Sequence, residues 1–430
     1  MHQLKDKLQQ LSQEKSPRRP SLRDTLTRLY LRPGTNHKLH PDDSFSRARR
    51  AMHEFVNGEY VNTHFGDVFI AKVRYPKDSA HGNVPLLSLS EISDRWLSRW
   101  GKFPQPSRFD WRKTIFVDTE TSGLAGGGGT IPFLIGIGYF YHNQFRIEQF
   151  FADSHAVEEG MLELVIEFVR PFDTVVTFNG KTFDIPLLET RYILKRKQSP
   201  FTVLNHLDLL HPSRQMWGLT LEDCKLQTLE RKILGFRRDD DLPGEEVPYA
   251  YFNYIRRGNP DPLYKVFRHN ADDIASLAAI LFRLWEAIKA SEDEQTPQIH
   301  FSRGKILNRL GEKRRAVESF KRAREGVLSS SGKLQVSSHL SMLHKSEGRW
   351  RDAEALWLEM IEEPAPFHLL PYVELAKYYE HKTKDMRRAK KIVESCLGRI
   401  PEHRMREIDE LNNRLSRLVR KIEKRELLKL

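Results

Sequence analysis

The stretch TIFVDTETSGL, residues 114–124, decides the fold. Ile115, Phe116 and Val117 form a short apolar run, and Gly123 closes it after Thr121 and Ser122. β-branched and aromatic residues stopped by glycine predict a buried strand. Side chains two apart in a strand leave on the same face, so Asp118 and Glu120 point together. Two carboxylates on one face of a buried strand repel each other and lose hydration. Hard divalent cations, which take oxygen ligands, offset both costs. An Asp-x-Glu pair alone is more often a solvated edge or a turn, so the assignment depends on the rest of the chain.

The chain has 430 residues, with 70 Lys and Arg against 58 Asp and Glu and a net charge of +12. At about 100–200 residues per domain, this length predicts two or three domains. Two cysteines, Cys224 and Cys396, are too few for a zinc site of their own or a disulfide framework. No apolar run reaches the roughly 18 residues of a membrane span, and the charged N-terminus MHQLKDKLQQLSQEK lacks the apolar core of a secretory signal. The expectation is a soluble cytoplasmic protein with no membrane partner. Basic residues outnumber acidic ones by 18 to 11 over residues 1–105 and by 30 to 19 over 300–430, whereas 106–299 carry 22 against 28. Basic flanks around an acidic centre suit a nuclease, because the flanks attract phosphates and cations offset the centre. Surplus Lys and Arg that merely solvate helices are the plainer explanation.

Working outward on the N-terminal side, Leu4, Leu8 and Leu11 have helical spacing, SPRRPS at 16–21 is a linker, and helical pieces fall near 22–29 and 45–53. Residues 53–75 predict β structure punctuated by Gly58 and Gly66. Residues 1–105 are therefore a basic segment with a small β-containing module.

On the C-terminal side, the glycine run at 125–130 predicts a flexible loop beside the carboxylates; it matches no phosphate-loop pattern. Apolar runs 131–141 and 145–151 flank His142-Asn143-Gln144 and predict a hairpin. A helix is expected over 157–169 and a buried strand over 173–178. FNGKTFDIPLL, residues 178–188, then turns at Asn179-Gly180 and opens a helix with Asp184 and Pro186 in its first turn. An acid at a helix start is common without function, because the dipole favours it. Residues 206–218 predict a strand and short helix carrying Asp208 and Arg214. Residues 221–236 predict an amphipathic helix carrying Lys225 and Thr228, and the mixed loop 236–260 is a candidate cover for the site. In FRHNADDIASLAAIL, residues 267–281, Leu277 and Leu281 follow Asp273 at i+4 and i+8, and His269 precedes it by four. Asp273 thus shares the stripe that packs on the sheet, which an acid does only for a reason such as metal ligation. Asp272 is turned about 100° away.

DTETSGL, NGKTFD and HNADDI, in this order, resemble the motifs of the DnaQ-like DEDD 3′→5′ exonucleases of the ribonuclease H-like superfamily. With DCKLQTLE they most resemble the bacterial YprB-like group, in which an RNase H-like exonuclease domain is joined to tetratricopeptide-like repeats; the similarity covers the chain from about residue 50. The resemblance implies that Asp118, Glu120, Asp184 and Asp273 are metal ligands and that His269 stands in the catalytic position. His269 departs from the commoner patterns, having three residues before Asp273 rather than four, and a structural histidine is the alternative. Asp208 matches an acid that lies behind the ligands. Thr121, Asn179, Lys181, Arg214 and Lys225 are the candidate substrate contacts.

The C-terminal region carries its own periodicity. Gly311, Ala316, Phe320 and Ala323 recur 37 residues on as Gly348, Ala353, Trp357 and Met360, and Ala389, Val393 and Cys396 follow 36 further. Tetratricopeptide units repeat at about 34 residues with small residues where paired helices touch. Residues 402–430 predict a charged capping helix.

The expected architecture is a ribonuclease H-like mixed α/β sheet with flanking helices at 106–292, then an all-α tetratricopeptide-like repeat domain at 299–430. The expected chemistry is phosphodiester hydrolysis with two Mg²⁺ or Mn²⁺ ions roughly 3.5–4 Å apart. The resemblance implies 3′→5′ exonuclease action and favours DNA over RNA, in repair or processing; the carboxylates alone do not separate exonuclease from endonuclease. A non-catalytic nucleic-acid scaffold that recruits a protein through its repeats is the alternative from another class. Arg314, Arg315, Lys321, Arg387, Arg388 and Lys391 are candidates for a phosphate-holding surface on the repeats.

Overall fold

The computed structural model describes residues 20–25, 52–92, 95–101, 103–104, 109–123, 129–289, 295–326, 328–363 and 366–427. The helix expected at 1–15, residues 26–29 and 45–51 of the helical pieces expected near 22–29 and 45–53, most of the 16–21 linker and most of the glycine run lie outside the described residues. The chain divides into two compact units, residues 1–214 with 221–287, and residues 215–220 with 288–430.

The first unit is built on a mixed seven-stranded sheet in the order β1-β2-β7-β6-β5-β8-β9. β1 (Gly58–Thr63), β2 (Gly66–Arg74), β7 (Gln144–Phe151), β6 (Pro132–Tyr141) and β5 (Thr114–Thr121) are antiparallel neighbours. β8 (Thr174–Thr177) and β9 (Asn205–Asp208) continue the sheet parallel to β5. The predicted β module at 53–75 thus joins the central sheet through β2 and β7. β3 (Ala80–His81) and β4 (Val84–Pro85) form a separate small hairpin. The turn at His142 and Asn143 has φ of 49° and 56°, the twist that a two-residue hairpin needs.

Alternation assigns the two faces. Ile115, Val117, Ile135 and Ile137 pack beneath α1 (Glu158–Val169) and α2 (Asp184–Leu194) with Met161, Leu162 and Leu188. Phe133 and Phe151 lie in the opposite cluster, with Tyr251 and Tyr254 of α4 (Val247–Arg257) and Phe267 of α5 (Asp261–Lys289). Between α2 and α4, α3 spans Leu210–Trp217. Phe116, Asp118 and Glu120 share the α5 face. Gly136 and Gly138 of β6 are what let α5 close on the sheet: a Cβ at Gly136 would overlap Asn270 Oδ1 and Ile274, and one at Gly138 would overlap Ile274.

The amphipathic helix expected over 221–236 is shorter. Only Leu226–Leu229 is α-helical, followed by one wide π-helical turn, Glu230–Leu234, that ends at left-handed Gly235. Asp223 accepts from the Lys225 amide at 3.0 Å and holds the preceding residues in a turn.

The second unit is all-helical: α6 (Pro297–Arg309), α7 (Lys313–Glu325), α8 (Ser330–Ser346), α9 (Trp350–Glu362), α10 (Leu369–His381), α11 (Met386–Leu397) and α12 (Met405–Leu427). Gly311, Gly348 and Lys384 take φ of 82°, 74° and 60° at successive helix turns, with the spacing read from the sequence. Ala316, Ala353 and Ala389, one in each second helix, are fully buried. Small residues there let each helical pair approach closely.

Candidate functional site

β5 carries Asp118 and Glu120 to the end of the sheet where parallel β8 also stops. After β8, Asn179 turns left-handed at φ 62°. Asp208 fixes that turn by accepting from the amides of Asn179 at 2.8 Å and Lys181 at 3.1 Å. The chain then enters α2 with Asp184 as its first residue, and Thr119 Oγ1 donates to Asp184 Oδ1 at 2.6 Å. From the opposite side α5 supplies His269, Asn270 and Asp273.

The carboxylates sense one another. Asp118 is held well above the usual carboxylate range by burial, then by the charges of Asp273, Glu120 and Asp184, against the Asn270 hydrogen bond. Burial, helped by Asp273 and Asp184 and opposed by His269 and Arg238, pushes Glu120 up to about 8. Burial also lifts Asp184 to about 6 despite the Thr119 bond. Buried acids raised by their neighbours mark a place where negative charge lacks a counter-ion. Among the described residues, no three His, Cys, Asp or Glu side chains converge closely enough to ligate one ion as they stand. Three of the four carboxylates are instead drawn to separate partners: Asp118 to Asn270, Asp184 to Thr119 and Asp273 to Arg238. The donor set of hard carboxylate oxygens, with mutual repulsion only partly offset by Arg238 and His269, fits Mg²⁺ or Mn²⁺.

Groups that sequence reasoning missed complete the site. Asn270, fully buried, donates to Asp118 Oδ2 at 2.7 Å and accepts from Gln149 of β7 at 2.9 Å. Arg238 lies in the loop expected to cover the site, and its guanidinium forms a forked pair with buried Glu230 at 2.5 and 2.9 Å and reaches Asp273. Ser276 donates to Glu230 at 2.6 Å, so it accepts from His81 Nε2 at 2.7 Å. Burial and the Arg238 charge hold His81 down to about 4, so it stays neutral. Asp241 meets His269 Nδ1 at 2.8 Å, and His269 Nε2 is 3.8 Å from Asp273 Oδ2. Burial opposes protonation of His269, yet Asp273, Glu120 and Asp241 together raise its pKa. The DDD run was the visible signal for Asp241, but nothing local tells which of three acids faces the site.

Asp272 pairs with Arg268 at 3.9 Å and is raised to about 6 by burial. Of the candidate substrate contacts, Lys181, Arg214 and Lys225 are exposed, while Thr121 and Asn179 are half-buried in the turns beside the carboxylates. Thr121 donates to Gly123 O at 2.8 Å. Thr228 is buried and bonded to Asp223, so it is a structural residue. Phe183, next to Asp184, is 62% exposed. In the helical unit Arg315 is committed to Ile288 O, Arg387 to Glu426 and Arg388 to Asp385, whereas Arg314, Lys321 and Lys391 are exposed. No helix among the described residues is long and apolar enough to cross a membrane.

Residues 115–285 match the RNase_H_2 family model, of the RNase_H superfamily, and form an RNase H-like domain. The chain is 29% identical over 358 residues to the uncharacterized protein YprB of Bacillus subtilis (strain 168), an alignment covering 82% of this chain and 86% of that protein. The family B DNA polymerase of the hyperthermophilic archaeon Pyrobaculum calidifontis aligns with 55% of this chain at 17% identity and a TM-score of 0.32. This chain spans 30% of that polymerase's length.

Proposed function

We propose that this protein is a metal-dependent nuclease that hydrolyses phosphodiester bonds, acting as a 3′→5′ exonuclease on DNA in repair or processing. One observation carries the reading: buried Glu120 and half-buried Asp118 and Asp184 are all raised in pKa by loss of hydration, Asp273 is among the charges that raise Asp118 and Glu120, and His269 lies beside them. The four carboxylates would hold two Mg²⁺ or Mn²⁺ ions, which when bound neutralise phosphate charge and acidify water. Thr119, Asn270 and Arg238 each keep one carboxylate oriented while the other ligand oxygens stay available. His269 Nε2 accepts the proton of the attacking water as a general base. Exposed Phe183 and Lys181, at the turn into α2, offer a stacking face and a phosphate contact.

The test is digestion of DNA and RNA oligonucleotides labelled at either end, with Mg²⁺, with Mn²⁺ and with chelator. Stepwise mononucleotide release from the 3′ end supports the proposal. Internal cuts make the protein an endonuclease, and binding without cleavage makes it a scaffold. The tetratricopeptide-like repeats are proposed to hold part of the nucleic acid through Arg314, Lys321 and Lys391. Reversing these three charges should weaken binding and flatten its salt dependence; an unchanged slope assigns the repeats to a protein partner instead.

A further inference from the structure

The loop that carries Asp241 is fixed at four points. Arg238 is forked onto Glu230, Asp240 pairs with Lys265 of α5 at 2.7 Å, Asp241 meets His269, and Leu242 packs on the cluster around Tyr251 and Tyr254. Asp240 turns the chain left-handed at φ 53°, a conformation that Asp tolerates better than most residues and that aims Asp241 at α5. Two groups approach His269 Nδ1: Asp241 Oδ1 at 2.8 Å and Arg238 at 3.1 Å. A ring nitrogen cannot donate and accept at once. Arg238 only donates, and a bare Nδ1 lone pair 2.8 Å from a carboxylate would be repelled. Nδ1 therefore carries the proton and gives it to Asp241. The Nε2 lone pair is then left on the side of the ring nearer the catalytic carboxylates.

We propose that Asp241 is a positioning residue for His269, fixing its tautomer and ring orientation so that Nε2 serves as the acceptor. This rests on the hydrolytic reading of the same site. An acid behind a histidine orients the ring and selects the nitrogen that works, as in other acid–histidine pairs.

Two readouts test it on the full chain. Asp241→Ala should lower kcat about 10–100-fold, the usual cost of removing such an outer partner, with KM and Mn²⁺ affinity unchanged. In a His269→Ala background the same substitution should cost nothing more, because its effect passes through the ring. Asp241→Asn, which preserves size and loop packing, should show the same pattern if Asp241→Ala folds poorly. Losses that multiply in the double variant would overturn the proposal. The second readout needs no activity: ¹H–¹⁵N spectra of labelled histidine in alkaline buffer, assigned by the signal lost in His269→Ala. An Nδ1–H ring in the parent, displaced in Asp241→Asn, supports the proposal even if no substrate is cleaved and the nuclease reading fails. An Nε2–H ring in the parent refutes it even if the protein is a nuclease.

Discussion

Asn270 of α5 stands over Gly136 and joins Gln149 to Asp118, two residues that flank that glycine in one cross-strand row of the sheet. Its amide donates to Asp118 Oδ2 and, at 3.2 Å, to the Asp118 carbonyl, while its oxygen accepts from Gln149. Both polar atoms of the Asn270 side chain are used, which fixes the height of α5 above the sheet and the rotamer of Asp118.

Asn270→Leu should therefore cost about 1–3 kcal/mol, because Gln149 and Asp118 each lose a buried partner. Denaturant unfolding of the metal-free protein measures it. Stability equal to the parent would mean the bridge contributes only geometry.

Gly136→Ala tests the same contact from the other side. The new Cβ would overlap Asn270 Oδ1 and Ile274, so α5 must lift or the strand must shift. Overpacking of this kind costs about 1–3 kcal/mol. Cleavage should fall with it, since lifting α5 carries His269 and Asp273 away from Asp118. A variant that is destabilised but fully active would show that α5 moves without the site.

Much of this frame was legible in the chain. The 131–151 hairpin, the strand ending in Asp118 and Glu120, and the helix bearing Asp273 each declare themselves within a dozen residues, because periodicity and turn chemistry act locally. Asn270, Arg238 and Asp241 did not. Asn270 meets Gln149 across 121 positions and Asp118 across 152, and Arg238 meets Asp273 across 35. Such pairings exist only once the sheet order brings their elements together. The partner of the β module at 53–75 was hidden for a related reason: β2 pairs with β7 although β3, β4, β5 and β6 lie between them in the chain, and no local pattern announces that partner.

The pH dependence of stability follows from the carboxylates. Glu120 is raised to about 8 and Asp184 to about 6, above their ordinary values of 4.5 and 3.8. A raised carboxyl binds its proton more tightly when folded, so its stabilising contribution is full below its unfolded value and is lost as pH rises through the folded one. The melting temperature of the chelated protein should fall between about pH 4 and pH 8. Glu120→Gln should flatten that fall and raise the melting temperature at the alkaline end. Mg²⁺ should stabilise the parent increasingly over the same range. A melting temperature that rises with pH in chelator would refute the clustered acids.

His269→Ala should lower kcat about 10²–10⁴-fold, the usual worth of general acid–base help. Mn²⁺ binding followed by calorimetry should persist, since the four carboxylates remain. Activity within a few-fold of the parent would reduce His269 to a structural residue and leave water activation to another group.

In the helical unit, Glu380 near the end of α10 has a fully buried carboxylate that takes Arg414 at 2.9 Å, Arg417 at 3.0 Å and Lys421 at 2.8 Å from one face of α12. Burial alone would raise it, yet the bonds from Arg417 and Lys421 outweigh burial and hold it down to about 2. A depressed carboxyl stabilises above its unfolded value of 4.5, and the contribution is lost as pH falls through about 2. Leu411 and Leu418 are the buried residues of α12, Ile408, Leu415 and Ile422 pack partly buried beside them, and the opposite face is strongly charged. Glu380→Ala leaves three cations facing a void and should cost about 3 kcal/mol, at the low end for breaking a buried pair because the partners are part-exposed. The loss should be local: faster amide exchange and earlier proteolysis in Met405–Leu427, with the exchange of β5 and β6 unchanged. Glu380→Gln should behave the same way at neutral pH and approach the parent only as pH falls through about 2. Uniform protection of α12 in both variants would mean that its apolar stripe alone anchors it.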